Sequence, residues 1–148
     1  MLFEIVKRIL DIIISCVALL LFLPFSLIVA LLIVLEDGLP VAYVQDRVGR
    51  NRNPFKLYKF RSMVKNADEL LFTDSKLYEE MRSGSHKMED DPRVTKVGRF
   101  IRKYSIDEFP QFLNVLKGEV RFVGPRAYRP DELERNEREN PGVRNPLE

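Results

Sequence analysis

Two adjacent carboxylates, Asp107 and Glu108, are the side chains of this sequence best suited to chemistry. They lie just before an apolar pattern that is typical of a helix. Carboxylates are ligands that Mg²⁺ prefers, and bound Mg²⁺ usually takes phosphate oxygens as further ligands. A carboxylate can also attack phosphorus and form an acyl phosphate. The pair therefore indicates phosphoryl-transfer chemistry, with Asp107 and Glu108 as the catalytic and metal-binding candidates.

Several cations lie near this pair in the sequence. Phosphoryl transfer depends mainly on positioning and on neutralisation of charge, and the planar fork of arginine suits a diphosphate. For any one arginine the alternative is a solvated surface charge or a contact with anionic lipid headgroups. The candidates are Arg93, Arg99, Arg102, Lys103 and Arg126.

Helix capping is the alternative interpretation of the acidic pair. Ser105 followed by Glu108 fits a capping box, and acidic residues favour the first turn of a helix. A capping box does not require Asp107, however, and Pro110 would be badly placed as the fifth residue of a helix that starts at Ser105. A helix that begins nearer Phe109 leaves the pair just outside its first turn.

An uncharged run of 24 residues, from Ile12 to Leu35, predicts a membrane helix. Eighteen of them are Leu, Ile, Val or Phe, and each favours insertion at the bilayer centre by about 0.3 to 0.6 kcal/mol. A helix of this length reaches about 36 Å, which is enough to cross the hydrocarbon core. The apolar region of a secretory signal peptide is shorter, at about 7 to 15 residues.

Pro24, in the middle of the run, leaves two topologies open. Proline removes a backbone donor and clashes with the preceding turn, so the helix either crosses the membrane or bends and returns to the same face. Lys7 and Arg8 precede the run and further basic residues follow it, so the positive-inside rule gives no orientation.

The rest of the chain is long enough for one modest domain, and its charges are segregated. The net charge is +2, but residues 41–65 carry seven basic side chains and one acidic one. Residues 66–92 carry three basic and eight acidic side chains, and residues 93–103 carry five basic side chains and no acidic one. A single histidine, His86, disfavours a His-based triad or a zinc site. No glycine-rich phosphate loop is present, which argues against a Walker-type nucleotide site.

Hydrophobic periodicity predicts an α+β fold with a small β-hairpin and amphipathic helices. The helix that starts near Phe109 either packs on a core or lies in the lipid interface, and the pattern does not decide between them. The basic hairpin is not interpreted as a nucleic-acid site. The apolar run places the chain at a membrane, so anionic lipid headgroups are the favoured ligand of its basic side chains. The predicted elements are a strand at 41–45, a turn at 49–54, a strand at 55–60, a helix at 66–81, a polar loop at 83–91, a basic helix at 97–104, a helix from 109 to 118 and a loosely ordered end from 129.

Many of these stretches resemble motifs of the monotopic phosphoglycosyl transferases, also called bacterial sugar transferases. They run in family order over roughly residues 7–126. The matching stretches are Lys7-Arg8-x-x-Asp11, Pro24, Gln45-x-Arg47-x-Gly49, Phe55-Lys56-x-Tyr58-Lys59-Phe60-Arg61-Ser62-Met63, Asp91-Pro92-Arg93-x-Thr95-x-x-Gly98-Arg99, Arg102-x-x-Ser105-Ile106-Asp107-Glu108-x-Pro110-Gln111, Asn114-Val115-Leu116-Lys117-Gly118 and Val123-Gly124-Pro125-Arg126.

The resemblance implies an enzyme that moves a phosphosugar from a UDP-sugar to polyprenyl phosphate and releases UMP. It would work at the cytoplasmic face of the bacterial inner membrane, at the start of envelope glycan and exopolysaccharide synthesis. Asp107 would attack the sugar-bearing phosphorus, and the lipid phosphate would then displace the covalent phosphosugar. Mg²⁺ would be held near Asp107 with support from Glu108. The substrate-binding residues would be Lys59, Arg61, Arg93, Arg102 and Arg126.

The family also implies a division of the chain: a re-entrant membrane helix broken at Pro24 (1–36), a catalytic domain (37–128) and a charged C-terminal extension (129–148). The sequence departs from the family at Leu23, where many members have Ser, and at Ala127, where Pro is usual. Members generally continue beyond this length, so a C-terminally shortened form is expected. The alternative function is a non-catalytic, membrane-anchored relative or scaffold that binds anionic lipid.

Overall fold

A computed structural model describes residues 2–49, 52–73, 79, 91–124 and 127–139. The fold is α+β, as predicted, with an apolar N-terminal helix, an antiparallel hairpin and shorter helices. In chain order the elements are α1 (Leu2–Asp37), β1 (Ala42–Val48), β2 (Pro54–Phe60), α2 (Ala67–Thr73), α3 (Lys96–Lys103), a 3₁₀ turn (Ile106–Glu108), α4 (Gln111–Lys117) and α5 (Pro130–Glu139).

The apolar run forms the greater part of α1, a helix of 36 residues. Within the described part of the chain, α1 is the one helix with the length and composition to cross a membrane. Leu20 and Leu21, near its middle, are 73% and 68% exposed. The family resemblance implies a break at Pro24, but the helical backbone continues through this residue. A proline removes one hydrogen bond from such a helix and can bend it without ending it.

Both ends of α1 are attached to the same folded domain. Near the start of the helix, Arg8 donates hydrogen bonds to the carbonyls of Val115 and Leu116. Near its end, Glu36 accepts hydrogen bonds from the backbone at the start of α3. In a straight helix these two residues would be about 42 Å apart. A helix that leads straight away from its domain across a bilayer does not meet that domain again, so these contacts favour the re-entrant topology.

The second half of α1 supplies one wall of the hydrophobic core. Val29 and Ile33 pack against Ile101 of α3 and Ile106 of the 3₁₀ turn. Ile101 is fully buried. The ring of Phe22 lies against that of Phe109, with centroids 4.3 Å apart. The segment that carries the acidic pair therefore rests directly on the apolar helix.

The predicted hairpin is confirmed. β1 and β2 pair antiparallel with Ala42 opposite Phe60 and Val48 opposite Pro54. The other edge of β2 is bound by the side chain of Asn114, which accepts from the Tyr58 N–H at 3.1 Å and donates to the Lys56 carbonyl at 2.6 Å. This contact fixes the hairpin against α4.

The boundaries of the shorter helices agree with the sequence in part. α3 lies within one residue of the predicted 97–104. Gly118, the residue that follows α4, has the left-handed φ of 82° expected of a helix stop. α2 covers the first half of the predicted 66–81. The second half of that prediction, except Glu79, and the polar loop predicted at 83–91, except Asp91, lie outside the described residues.

The expectation of a loosely ordered end from residue 129 is wrong up to residue 139. α5 occupies Pro130–Glu139 and packs Leu133, which is 7% exposed, against Val48 of the hairpin. An ion pair between Glu132 and Arg47 adds to this contact, with 3.4 Å between nitrogen and oxygen. A single apolar residue in a charged run carries little sequence signal, which is why the helix was not predicted.

Candidate active site

The acidic pair lies on a short 3₁₀ turn between α3 and α4. Ser105, which precedes the turn, has the left-handed backbone angles φ 55° and ψ 25°, and its side chain makes no capping hydrogen bond. The capping-box interpretation is therefore wrong in its main contact. A left-handed serine costs roughly 1 to 2 kcal/mol, so tertiary contacts must hold the turn in this shape.

Asp107 is a buried carboxylate. It is 9% exposed, and within the described residues it forms no ion pair. Burial raises the pKa of Asp107 above its usual value, the charge of Lys59 lowers it, Glu108 raises it and Arg102 lowers it. A poorly solvated carboxylate in the reach of two cations is a good candidate for a nucleophile that acts on phosphorus.

Glu108 has a different environment from its neighbour. Its side chain is 53% exposed, and its Oε1 lies 3.0 Å from Nζ of Lys59 on β2. The hairpin thus brings a cation, Lys59, to the acidic pair. The pair therefore consists of one buried and one exposed carboxylate, and the exposed one links the turn to Lys59 of the sheet.

Asp107 and Glu108 are the residues that would hold Mg²⁺, an ion usually bound through one or two carboxylates and completed by water and substrate phosphates. No group of three or more His, Cys, Asp or Glu side chains gathers anywhere in the described ranges. Asp107 and Glu108 would therefore leave most positions around such an ion to water and phosphate.

Arg102, on the last turn of α3, is an exposed cation close to the acidic pair. Its charge lowers the pKa of Asp107 and also that of Asp91, so it lies within electrostatic reach of both. Among the predicted substrate-binding residues, Lys59 and Arg102 are the two that the described structure brings to the carboxylates. Arg126 lies outside the described residues.

Arg93 and Arg61 are buried and have protein partners. Arg93 is 5% exposed and binds the carboxylate of Asp91, with Nε to Oδ1 at 2.9 Å and Nη2 to Oδ2 at 2.6 Å. This hydrogen-bonded pair lowers the pKa of Asp91. Arg61 is 7% exposed, and its Nη2 donates to the carbonyl of Gly38 at 2.6 Å, at the end of α1. Both contacts favour structural roles, and their predicted binding of substrate stays a prediction.

Asn114 organises the site, although its place in the sequence indicated no role. It is fully buried, and besides its two bonds to β2 it donates to Oε2 of Glu119 at 2.6 Å. It thereby fixes the strand that carries Lys59. The one sequence signal that sets Asn114 apart is that an asparagine lies among the apolar residues of the helix predicted from 109 to 118.

Comparison with known proteins gives the family. The family described as bacterial sugar transferase matches residues 2–147. The exopolysaccharide production protein ExoY of Rhizobium meliloti (strain 1021) is 45% identical over 132 residues, which are 86% of this chain and 58% of ExoY. The chain therefore spans little more than half the length of that relative.

Two further relatives have names that state a reaction. The putative undecaprenyl-phosphate N-acetylgalactosaminyl 1-phosphate transferase of Bacillus subtilis (strain 168) is 41% identical over 138 residues, 93% of this chain and 70% of that protein. The UDP-N-acetylgalactosamine-undecaprenyl-phosphate N-acetylgalactosaminephosphotransferase of Aeromonas hydrophila is 40% identical over 136 residues, 92% of this chain and 29% of that protein. With the family match over nearly all its residues, this chain belongs to the bacterial sugar transferase family.

Proposed function

We propose that this chain transfers a phosphosugar from a UDP-sugar to polyprenyl phosphate and releases UMP. The observation that carries the proposal is the environment of Asp107, which is buried, outside any ion pair of the described residues, and close to Lys59 and Arg102. The names of two relatives, which join undecaprenyl phosphate to a sugar-phosphate transfer, support the same reaction class.

The reaction has two displacement steps at one phosphorus atom. A carboxylate oxygen of Asp107 attacks the sugar-bearing phosphorus, the bond to the bridging oxygen breaks, and UMP leaves with that oxygen. An oxygen of polyprenyl phosphate then attacks the same phosphorus and releases the Asp107 carboxylate. Both nucleophiles are anions, so neither step needs a general base.

The cations and the metal act on the charge of the diphosphate. Lys59 and Arg102 neutralise phosphate oxygens and keep the two reacting anions together. Bound Mg²⁺, held by Asp107 and Glu108, would supply further neutralisation at the same oxygens. The family resemblance also implies a role for Arg126, which lies outside the described residues, in binding the nucleotide-sugar.

The membrane helix allows the lipid substrate to reach the acidic pair. α1 would lie in the cytoplasmic face of the bacterial inner membrane and hold residues 37–128, the proposed catalytic domain, at the boundary between water and lipid. The acidic pair rests on α1 through Phe22 and Phe109. A polyprenyl phosphate whose tail stays in the bilayer can then present its phosphate to Asp107.

The test is UMP release by the full chain in vesicles that contain undecaprenyl phosphate, Mg²⁺ and a panel of UDP-sugars. Asp107→Asn should lower the rate at least about 1,000-fold, because the amide is a very poor nucleophile. Asp46→Asn, at an exposed ion pair of the hairpin, is the matched control and should retain activity.

Trapping of a radiolabelled phosphosugar on the wild-type protein, followed by peptide mapping, should place the label on Asp107. Undiminished turnover in Asp107→Asn, or a label on another residue, would contradict the nucleophile assignment. A folded wild-type protein that releases no UMP with any UDP-sugar would favour the scaffold alternative.

A further inference from the structure

We infer that Arg8 and Glu36 are positioning residues that together hold the turn of Asp107 and Glu108 in place. They lie near opposite ends of α1, and each binds the far end of one of the two helices that flank the turn. The membrane helix would then act as a clamp on the active site as well as an anchor. The activity part of this inference rests on the proposed function.

Arg8 binds the C-terminal end of α4. Its Nη1 and Nη2 donate to the carbonyls of Val115 and Leu116, each at 2.6 Å. The last carbonyls of a helix have no partner within the helix and carry its negative dipole end, so a guanidinium there is favourable. Gly118 leaves room for this contact, because a Cβ at that position would lie 3.3 Å from Nη2 of Arg8.

Glu36 binds the N-terminal end of α3. Its Oε1 accepts from the Lys96 N–H at 2.7 Å and its Oε2 from the Val97 N–H at 3.0 Å. The side chain of Thr95 accepts from the Gly98 N–H at 2.8 Å and completes the cap. A carboxylate at this end matches the positive end of the helix dipole.

The chain between these two contacts also rests on α1. Ile101 and Ile106 pack on Val29 and Ile33, and Phe109, the residue after Glu108, lies against Phe22. The acidic pair therefore lies on a segment that α1 holds at both ends and in the middle. A displacement of either end of α1 would move the turn.

Arg8 could instead act as a cation that binds lipid headgroups. Its neighbour Lys7 allows an experiment to distinguish this role from the clamp role. Both terminal nitrogens of Arg8 donate to protein carbonyls. Lys7 precedes it on the same helix, and the structure gives it no hydrogen bond or ion pair with described residues. Lys7→Gln removes the same charge from the same membrane boundary and leaves the clamp intact.

The test compares Arg8→Gln with Lys7→Gln, and Glu36→Gln with Asp46→Asn, all as the full chain in phospholipid nanodiscs. The kcat of UMP release should fall about 10- to 100-fold in both clamp variants, since a displacement of about 1 Å costs this much. The KM for the UDP-sugar should stay within about twofold. Arg8→Lys, which keeps the charge and can reach one carbonyl, should recover part of the loss.

Hydrogen exchange of the amides of residues 105–117 tests the clamp without reference to catalysis. Exchange should be at least about tenfold faster in Arg8→Gln and Glu36→Gln than in their controls. If the wild-type protein releases no UMP, the proposed function fails while this measurement still decides the clamp. Unchanged exchange in both variants, or equal effects of Lys7→Gln and Arg8→Gln, would overturn it. Should Arg8→Gln fail to fold, Glu36→Gln, at an exposed position, decides in its place.

Discussion

Asp107 and Glu108 are adjacent in the chain but differ in solvation and in partners. Asp107 is 9% exposed, whereas Glu108 is 53% exposed and paired with Lys59. Burial penalises the charged form of a carboxylate, and a nearby ammonium favours it. The two neighbouring carboxylates are therefore distinct: Asp107 is buried, and Glu108 is exposed and held by a cation.

The burial of Asp107 has a cost in stability that substitution should remove. Because its folded-state pKa is raised, its contribution to stability is present below the unfolded pKa, about 3.9, and is lost as the pH rises through the folded pKa. Asp107→Asn should therefore raise Tm at pH 7, and the gain should disappear near pH 4. Thermal unfolding in detergent measures this, with Asp46→Asn as the control; a lower Tm at pH 7 would contradict it.

Lys59 should set the pH at which the proposed transfer reaction becomes fast. In the proposed mechanism Asp107 attacks as the carboxylate, so kcat should rise with pH through an apparent pKa above that of an ordinary aspartate. The charge of Lys59 lowers the pKa of Asp107, and Lys59→Met should therefore shift this limb to higher pH. Rates of UMP release across pH measure the shift. Lys56→Met, at an exposed ion pair with Asp46, should leave the limb in place.

At the scale of elements, α3 approaches the chain after β2 closely enough that only glycine fits. Thr95 N–H donates to the Ser62 carbonyl at 3.2 Å, and Gly98 faces the same carbonyl. A Cβ at Gly98 would lie 1.9 Å from that oxygen and 2.7 Å from its carbon. Both atoms belong to the backbone, which cannot turn away as a side chain can.

Gly98→Ala should consequently destabilise the protein by about 3 kcal/mol or more, because α3 must move away from the backbone at Ser62. Chemical unfolding followed by circular dichroism measures the change. Gly124→Ala is the matched control, since a Cβ there would meet its nearest atom, Cβ of Arg121, at an ordinary 3.5 Å. Equal stability of the two variants would show that the close approach is not maintained in solution.

At the scale of the whole molecule, α1 and the polar domain form one structure. Polar contacts lie near the two ends of α1, as with Arg8 and Glu36, and apolar contacts lie between them, as with Phe22, Val29 and Ile33. Because both ends of α1 contact the same domain, the contacts match a helix that enters and leaves a bilayer at the same face. Water-facing ends tolerate charges, and the lipid-facing middle does not.

The two ends of α1 should therefore be accessible from the same side of the membrane. In a Cys16→Ala background, Phe3→Cys and Leu39→Cys place thiols at positions that are 74% and 67% exposed. A membrane-impermeant maleimide should label both in inside-out bacterial vesicles and neither in right-side-out vesicles. Labelling of the two thiols from opposite sides would establish a straight span.

Much of the architecture could be predicted from local pattern. The alternation of apolar and basic residues gave β2 to within one residue, and the uncharged run gave most of α1. α5 was missed because its packing depends on one apolar residue, Leu133, and on a long-range ion pair with Arg47. Local pattern cannot register a contact whose partner lies 85 residues away.

The sequence by itself determined the apolar character of α1, the hairpin, and the type and adjacency of the two carboxylates, since these follow from composition and short-range spacing. The tertiary structure alone decided which carboxylate is buried, that Lys59 and not Arg61 reaches the pair, and that Arg8 and Glu36 hold its flanking helices. Solvation and charge pairing arise from groups distant in the chain, so they appear only when the fold brings those groups together.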